Sequence, residues 1–159
     1  MLKNLFLAKG LREEIGDMLM GDAGFVSLLT DLKRAIETTR LERLRIGMTS
    51  ECERCGSFNR DCCGSGIELR YTVELLLLNL LLGVEIPERR ELDDSCYFLT
   101  SRGCCLLARH VFCVNYLCRR LLDLLPVDTL SRLQRLEGIE LEIIFRLEEM
   151  IKTLKRHKG

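Results

Sequence analysis

Nine cysteines stand in this 159-residue chain, and their spacing is the first sign of chemistry. Cys52-Glu53-Arg54-Cys55-Gly56 contains a C-x-x-C step followed by glycine. Cys62-Cys63-Gly64-Ser65-Gly66 is a doubled cysteine in a glycine-rich stretch. A C-x-x-C turn brings two thiolates close enough to grip one ion, as in zinc knuckles and iron–sulfur loops, and glycine permits the tight backbone such loops need. Adjacent cysteines point in different directions, so Cys62 and Cys63 are not expected to serve one ion equally.

A second group follows. It comprises Cys96-Tyr97-Phe98-Leu99, Gly103-Cys104-Cys105 and Arg109-His110-Val111-Phe112-Cys113, with Cys118 further on. On a helix, the step from Cys113 to Cys118 rotates by about 140°, so Cys118 is expected to pack as a small hydrophobe. Cys105 is left to the same role. Four or more thiolates would satisfy tetrahedral zinc or an iron–sulfur cluster, and thiolate ligands alone do not separate the two. The bland alternative is a set of reduced core cysteines. Doubled cysteines beside glycines in polar loops are not how cores are usually built.

Other chemistries find less support. A thioredoxin-like pair at Cys52 and Cys55 would need a strand-and-helix context that the sequence lacks. His110 lies inside the second group and reads as a polar or packing residue, since thiols are already plentiful. His157 sits in a basic tail. A thiol-dependent enzyme would rest on His110 and a reactive cysteine. No serine elbow, phosphate loop or H-E-x-x-H motif is present.

The elements that must position these groups are helical. All nine cysteines fall between residues 51 and 125. Residues 1–47 read as two N-terminal helices around the Gly21-Asp22-Ala23-Gly24 turn. The first carries Leu5, Phe6, Leu11, Ile15, Met18 and Leu19. The second carries Phe25, Leu28, Leu29, Leu32, Ile36 and Leu44, and Gly47 supplies its stop. Residues 48–120 form the cysteine-rich module with a central helix over 72–83. Thr72 caps this helix, Glu74 suits its positive end, and Gly83 and Pro87 end it. Its leucines cover almost the whole circumference, so it is predicted to be central. Residues 126–157 form a C-terminal helix with Asp128 as N-cap candidate. Its apolar seam runs through Leu136, Ile139, Ile143, Leu147, Met150 and Leu154, with the glutamates mostly off it. Lys152, Lys155, Arg156 and Lys158 suit the negative end of the helix dipole. No strand with period-two alternation is visible.

Composition bounds the rest. Hydrophobic residues make up 47% of the chain, which excludes a disordered polymer and allows one domain with a real core. The 24 basic and 24 acidic side chains give zero net charge, so no nucleic-acid partner is expected. That zero is uneven: residues 51–95 carry −5 and residues 96–125 carry +3. The longest apolar run, Val73 to Val84, is too short and too polar for a bilayer, and no membrane partner is expected. No secretory signal opens the chain, and free thiols persist in reducing compartments, so a cytoplasmic location is expected.

These motifs resemble the YkgJ-type cysteine-cluster family, whose members are zinc- or iron-chelating proteins. Its pattern is C-x-x-C-G-x-C-C, a helix, C-x-F-L, a G-C pair and R-P-x-x-C. Cys52 to Gly56 matches the opening, Cys96 to Leu99 the C-x-F-L, Gly103-Cys104 the G-C pair. Arg109 to Cys113 matches the last segment with histidine in place of proline. The resemblance spans roughly residues 50–120. Four extra residues separate Cys55 from Cys62-Cys63, and the step from Cys104 to Arg109 is one shorter. The resemblance implies metal binding, with Cys52, Cys55, Cys62, Cys63, Cys96, Cys104 and Cys113 as ligands.

The sequence therefore predicts a mainly α-helical single domain, 1–159, holding zinc or an iron–sulfur cluster in a cysteine-rich module packed against terminal helices. Whether the chain is an enzyme is left open. The rival reading is a metal-free interaction module whose seams at Phe25–Ile36 and Leu136–Leu154 pair within the chain, in a homodimer or with a protein partner.

Overall fold

A single residue, Asp22, separates the first two helices of the computed structural model, which describes residues 1–56, 64, 66–101 and 103–158, without the side chains of Glu53, Cys55 and Lys158. Helix α1 runs over Leu2–Gly21 and α2 over Ala23–Arg45. The Asp22 backbone is extended, and its carboxylate accepts the Phe25 N–H at 2.7 Å, satisfying one of the orphan donors at the start of α2. Gly47, at φ +77°, then turns the chain into α3, Met48–Gly56. The first C-x-x-C step therefore lies on a helix, where the sequence suggested a loop.

Helix α4 spans Val73–Leu81, and the Thr72 hydroxyl accepts the Leu75 N–H at 3.1 Å. The predicted cap and the predicted central position both hold: Leu75 to Leu78 and Leu80 are buried. Two short strands follow, β1 at Leu99–Thr100 and β2 at Gly103–Cys104, paired antiparallel with Leu99 opposite Cys104. Two-residue strands are too short to show a period, so they leave no sign in the sequence. Helices α5 (Val111–Val114), α6 (Arg119–Leu124) and α7 (Val127–Lys158) complete the order. Asp128 lies inside the first turn of α7 and so does not cap it; its charge still suits that end.

Helices α1 and α4 run parallel. Asn4 donates to the Tyr71 carbonyl at 3.0 Å at one end, and Gly16 backs onto Leu81 at the other. Helices α2 and α7 run antiparallel, as Arg132 reaches Glu42 while Leu28 and Arg146 lie together further along. The start of α4 rests on the second half of α7 through Thr72–Glu148 (2.7 Å) and Lys155–Glu74 (3.2 Å).

The buried faces correct several expectations. Phe6 and Met18 of α1 and Leu44 of α2 are exposed. On α2, Thr39 and Arg43 are buried where the stripe was expected to continue through Leu44. On α7 the buried positions are Leu130, Leu133, Glu137, Glu140, Ile144, Leu147 and Ile151, alternating by three and four residues. Of the expected seam only Leu147 belongs to this set, and Ile139 is exposed. Two glutamates that hydropathy places in solvent are core residues. They fall between the main apolar core, which takes Ile144, Leu147 and Ile151, and a smaller cluster of Met48, Leu121 and Leu133.

The chain is thus mainly helical. Among the described residues, no helix is long and apolar enough to cross a membrane.

Candidate thiol site

The second cysteine group is assembled on Tyr71, the residue that precedes the cap of α4. Its ring is buried and stands edge-on to Phe98, with centroids 4.8 Å apart. Its hydroxyl accepts the His110 N–H at 3.1 Å and donates to the Cys113 sulfur at 3.7 Å.

Three separate devices hold the cysteine-bearing segments to this ring. The first is the β-hairpin. Gly103 adopts φ +97°, which lets the chain reverse so that Cys104 returns opposite Leu99, and the Cys105 N–H bonds the Phe98 carbonyl at 2.9 Å. The second is Asn79, fully buried in α4. Its amide donates to the Leu75 carbonyl (2.9 Å) and the Ala108 carbonyl (2.8 Å), and its oxygen accepts the N–H groups of Leu107 (2.9 Å) and Ala108 (3.1 Å). This pins the link between Cys105 and His110 to the central helix. The third is His110 itself, which caps α5: its Nδ1 accepts the Phe112 N–H at 3.3 Å, and its carbonyl accepts the Cys113 N–H at 2.8 Å. Its ring packs 5.1 Å from Phe112 and 5.9 Å from Tyr71. The polar and packing role expected of His110 fits this geometry.

The Cys104 thiol lies close enough to Cys96 and Cys113 to feel their charge, and Cys96 feels that of Cys113. Cys96 is buried and Cys113 half-buried. Cys104 retains solvent contact, yet desolvation, followed by the neighbouring Cys105, Cys96 and Cys113, pushes its pKa up to about 12. Burial likewise raises the Cys96, Cys105 and Cys113 pKa values. Burial also raises the Tyr71 pKa, helped by Cys113 and Cys104. The four thiols are therefore protonated donors at neutral pH, and a cation placed among them would reverse that balance.

Glu68 completes the surroundings from the 3₁₀ turn at Ile67–Arg70. Its buried carboxylate accepts the Gly66 N–H at 2.7 Å and pairs with Arg90. Burial opposes ionisation, but its own backbone N–H, Arg90 and the Gly66 N–H hold its pKa below the usual carboxylate range. Beside it, Gly64 forms an isolated antiparallel bridge with Ser95. Gly64 follows Cys63 in the chain and Ser95 precedes Cys96, so the bridge joins positions that flank the two cysteine-rich segments.

Cys52 is exposed on α3, a helix tied to α6 by Glu51–Arg120 at 3.0 Å. The side chain of Cys55, together with Cys62 and Cys63, lies outside the described residues. Cys118 stands before α6, packed against the Met48–Leu121–Leu133 cluster, and Cys105 packs against the main core, as expected of both. Among the described residues, no group of three or more His, Cys, Asp or Glu side chains is arranged to hold a metal ion.

Tyr71, Asn79 and Glu68 were not expected at this site. A polar residue inside a leucine run is one signal the sequence did offer for Asn79, because a buried amide must be bonded.

Comparison of the chain with protein-family models, with curated proteins and with solved structures returned no match.

Proposed function

We propose that this chain is a metal-binding protein whose cysteine thiolates hold zinc or an iron–sulfur cluster in a structural or redox role. The observation that carries the reading is a backbone bridge between residues that flank its two cysteine-rich segments. The Gly64–Ser95 bridge joins the residue after Cys63 to the residue before Cys96, and Cys104 and Cys113 lie near the Tyr71 hydroxyl. Soft sulfur donors suit zinc and iron. Cys96, Cys104 and Cys113 would supply one side of the site. Cys52, Cys55, Cys62 and Cys63, from the resemblance to the cysteine-cluster family, are the candidates for the other. The raised pKa values of Cys96, Cys104, Cys105 and Cys113 weigh against any of these four as the nucleophile of a thiol-dependent enzyme, which needs a thiolate at neutral pH. Metal uptake would ionise the same thiols and release protons.

Anaerobic purification, an absorption spectrum and elemental analysis test the reading. A stoichiometric metal content that falls in Cys104→Ser and Cys113→Ser supports it. Metal-free protein that stays fully helical in chelator would favour the interaction module instead. The surface for that module would be the open groove between α2 and α7, floored by Leu28, Ala35, Leu136, Ile139 and Ile143.

A further inference from the structure

The polar layer between the two apolar clusters has an odd charge count. Glu137 and Glu140 are 0% and 1% exposed, and Arg43 is the cation set against them. Arg43 Nη2 donates to Glu137 Oε1 at 2.6 Å and to the Val114 carbonyl of α5 at 3.2 Å. Both oxygens of Glu140, the second oxygen of Glu137 and Arg43 Nε have no hydrogen-bond partner among the described residues. Thr39 of α2 lies beside Glu140, with its hydroxyl donating to the Ala35 carbonyl of its own helix at 3.0 Å. The charged groups facing each carboxyl are thus Arg43 and the other carboxyl.

Two ionised carboxylates and one guanidinium would leave an uncompensated negative charge in the core, which is strongly unfavourable. One proton removes that charge. It also converts an acceptor-only group into a donor, which an orphaned carboxyl oxygen can use.

We propose that the Glu137–Glu140 pair is a proton-binding site, occupied by one proton in the folded chain at neutral pH, that couples pH to the seating of α5 through Arg43. Burial raises the pKa of both carboxyls in the same sense, with Arg43 opposing at both and the neighbouring Thr39 hydroxyl opposing at Glu140. The folded state therefore holds more protons than the unfolded state above the usual carboxylate range. Stability from this site is complete below the unfolded carboxylate pKa and is lost as pH rises through the folded one. Over that window the folding equilibrium constant falls about tenfold per pH unit for one proton. Once the proton leaves, the second carboxylate competes for Arg43. The bond to Val114, the residue after Cys113, is the one that yields.

The test compares wild type with Glu140→Gln by chemical unfolding across pH and by infrared spectroscopy near neutrality. Wild type is expected to lose stability as pH rises and to show the carbonyl stretch of a protonated carboxylic acid. Glu140→Gln is expected to flatten the pH slope and lose that band. Glu148 is another shielded carboxyl whose pKa burial raises, so Glu148→Gln is the control and should keep the band. Hydrogen exchange at the Cys113 and Val114 amides, corrected for its intrinsic pH dependence, should quicken with pH in wild type and not in Glu140→Gln. Parallel pH slopes in wild type and Glu140→Gln, or a wild-type spectrum without the band, would overturn the proposal. If Glu140→Gln does not fold, the wild-type band and its persistence in Glu148→Gln decide the matter.

Discussion

The hydroxyl of Tyr71 bridges the two ends of α5: it accepts the His110 N–H at 3.1 Å and donates to the Cys113 sulfur at 3.7 Å. One buried oxygen thus fixes both the cap of that short helix and the thiol it carries. Tyr71→Phe keeps the ring against Phe98 and removes only this oxygen. It leaves the His110 N–H without its acceptor, which costs about 1–3 kcal/mol for a buried group. Urea unfolding should show that loss, and alkylation of Cys113 should become faster.

Asn79 makes four hydrogen bonds from the middle of a leucine helix. Asn79→Leu matches its shape and strands the N–H groups of Leu107 and Ala108 together with the Ala108 carbonyl. At roughly 1–3 kcal/mol for each stranded group, the loss should be on the order of 3 kcal/mol or more. Hydrogen exchange at the Leu107 and Ala108 amides should lose its protection, whereas exchange in α2 should change only with global stability.

Glu68 predicts an acid-side effect. Its pKa is depressed in the folded chain, so its contribution is present above the unfolded carboxylate pKa and disappears as pH falls through the folded one. Glu68→Gln should therefore be less stable than wild type at neutral pH and converge with it in strong acid. Paired denaturation curves at the two pH values check this. A constant gap at both would count against the ion pair with Arg90 as its source.

Metal removal gives a prediction of a different kind. If the thiols hold a structural metal, binding contributes folding free energy, on the order of 10 kcal/mol for zinc sites. Chelator should then lower the melting temperature and make Cys96, otherwise buried, accessible to thiol reagents. Re-addition of the metal should reverse both changes.

Local signals were legible and distant pairings were not. Thr72 as the cap of α4, Gly47 as the stop of α2 and the leucine-rich central helix could all be read from neighbouring residues. The clustering of Cys96, Cys104 and Cys113 within 18 positions of the chain was visible, but spacing alone does not set which side chains converge. The core face of α7 was not legible. Glu137 and Glu140 look like solvent residues until Arg43, 94 positions away, is placed opposite Glu137. A hydropathy pattern carries no trace of that partner. Phe6 and Met18 failed for the complementary reason: apolar character alone does not say which side of a helix meets a neighbour.

The antiparallel pairing of α2 with α7 also sets an order of events during synthesis. Phe25, Leu29 and Leu32 leave the ribosome about a hundred residues before the α7 face that α2 packs against. At translation rates of about 5–20 residues per second, α2 waits on the order of 5–20 seconds for that face. During that interval Phe25, Leu29 and Leu32 lack the α7 face that helps bury them in the folded chain.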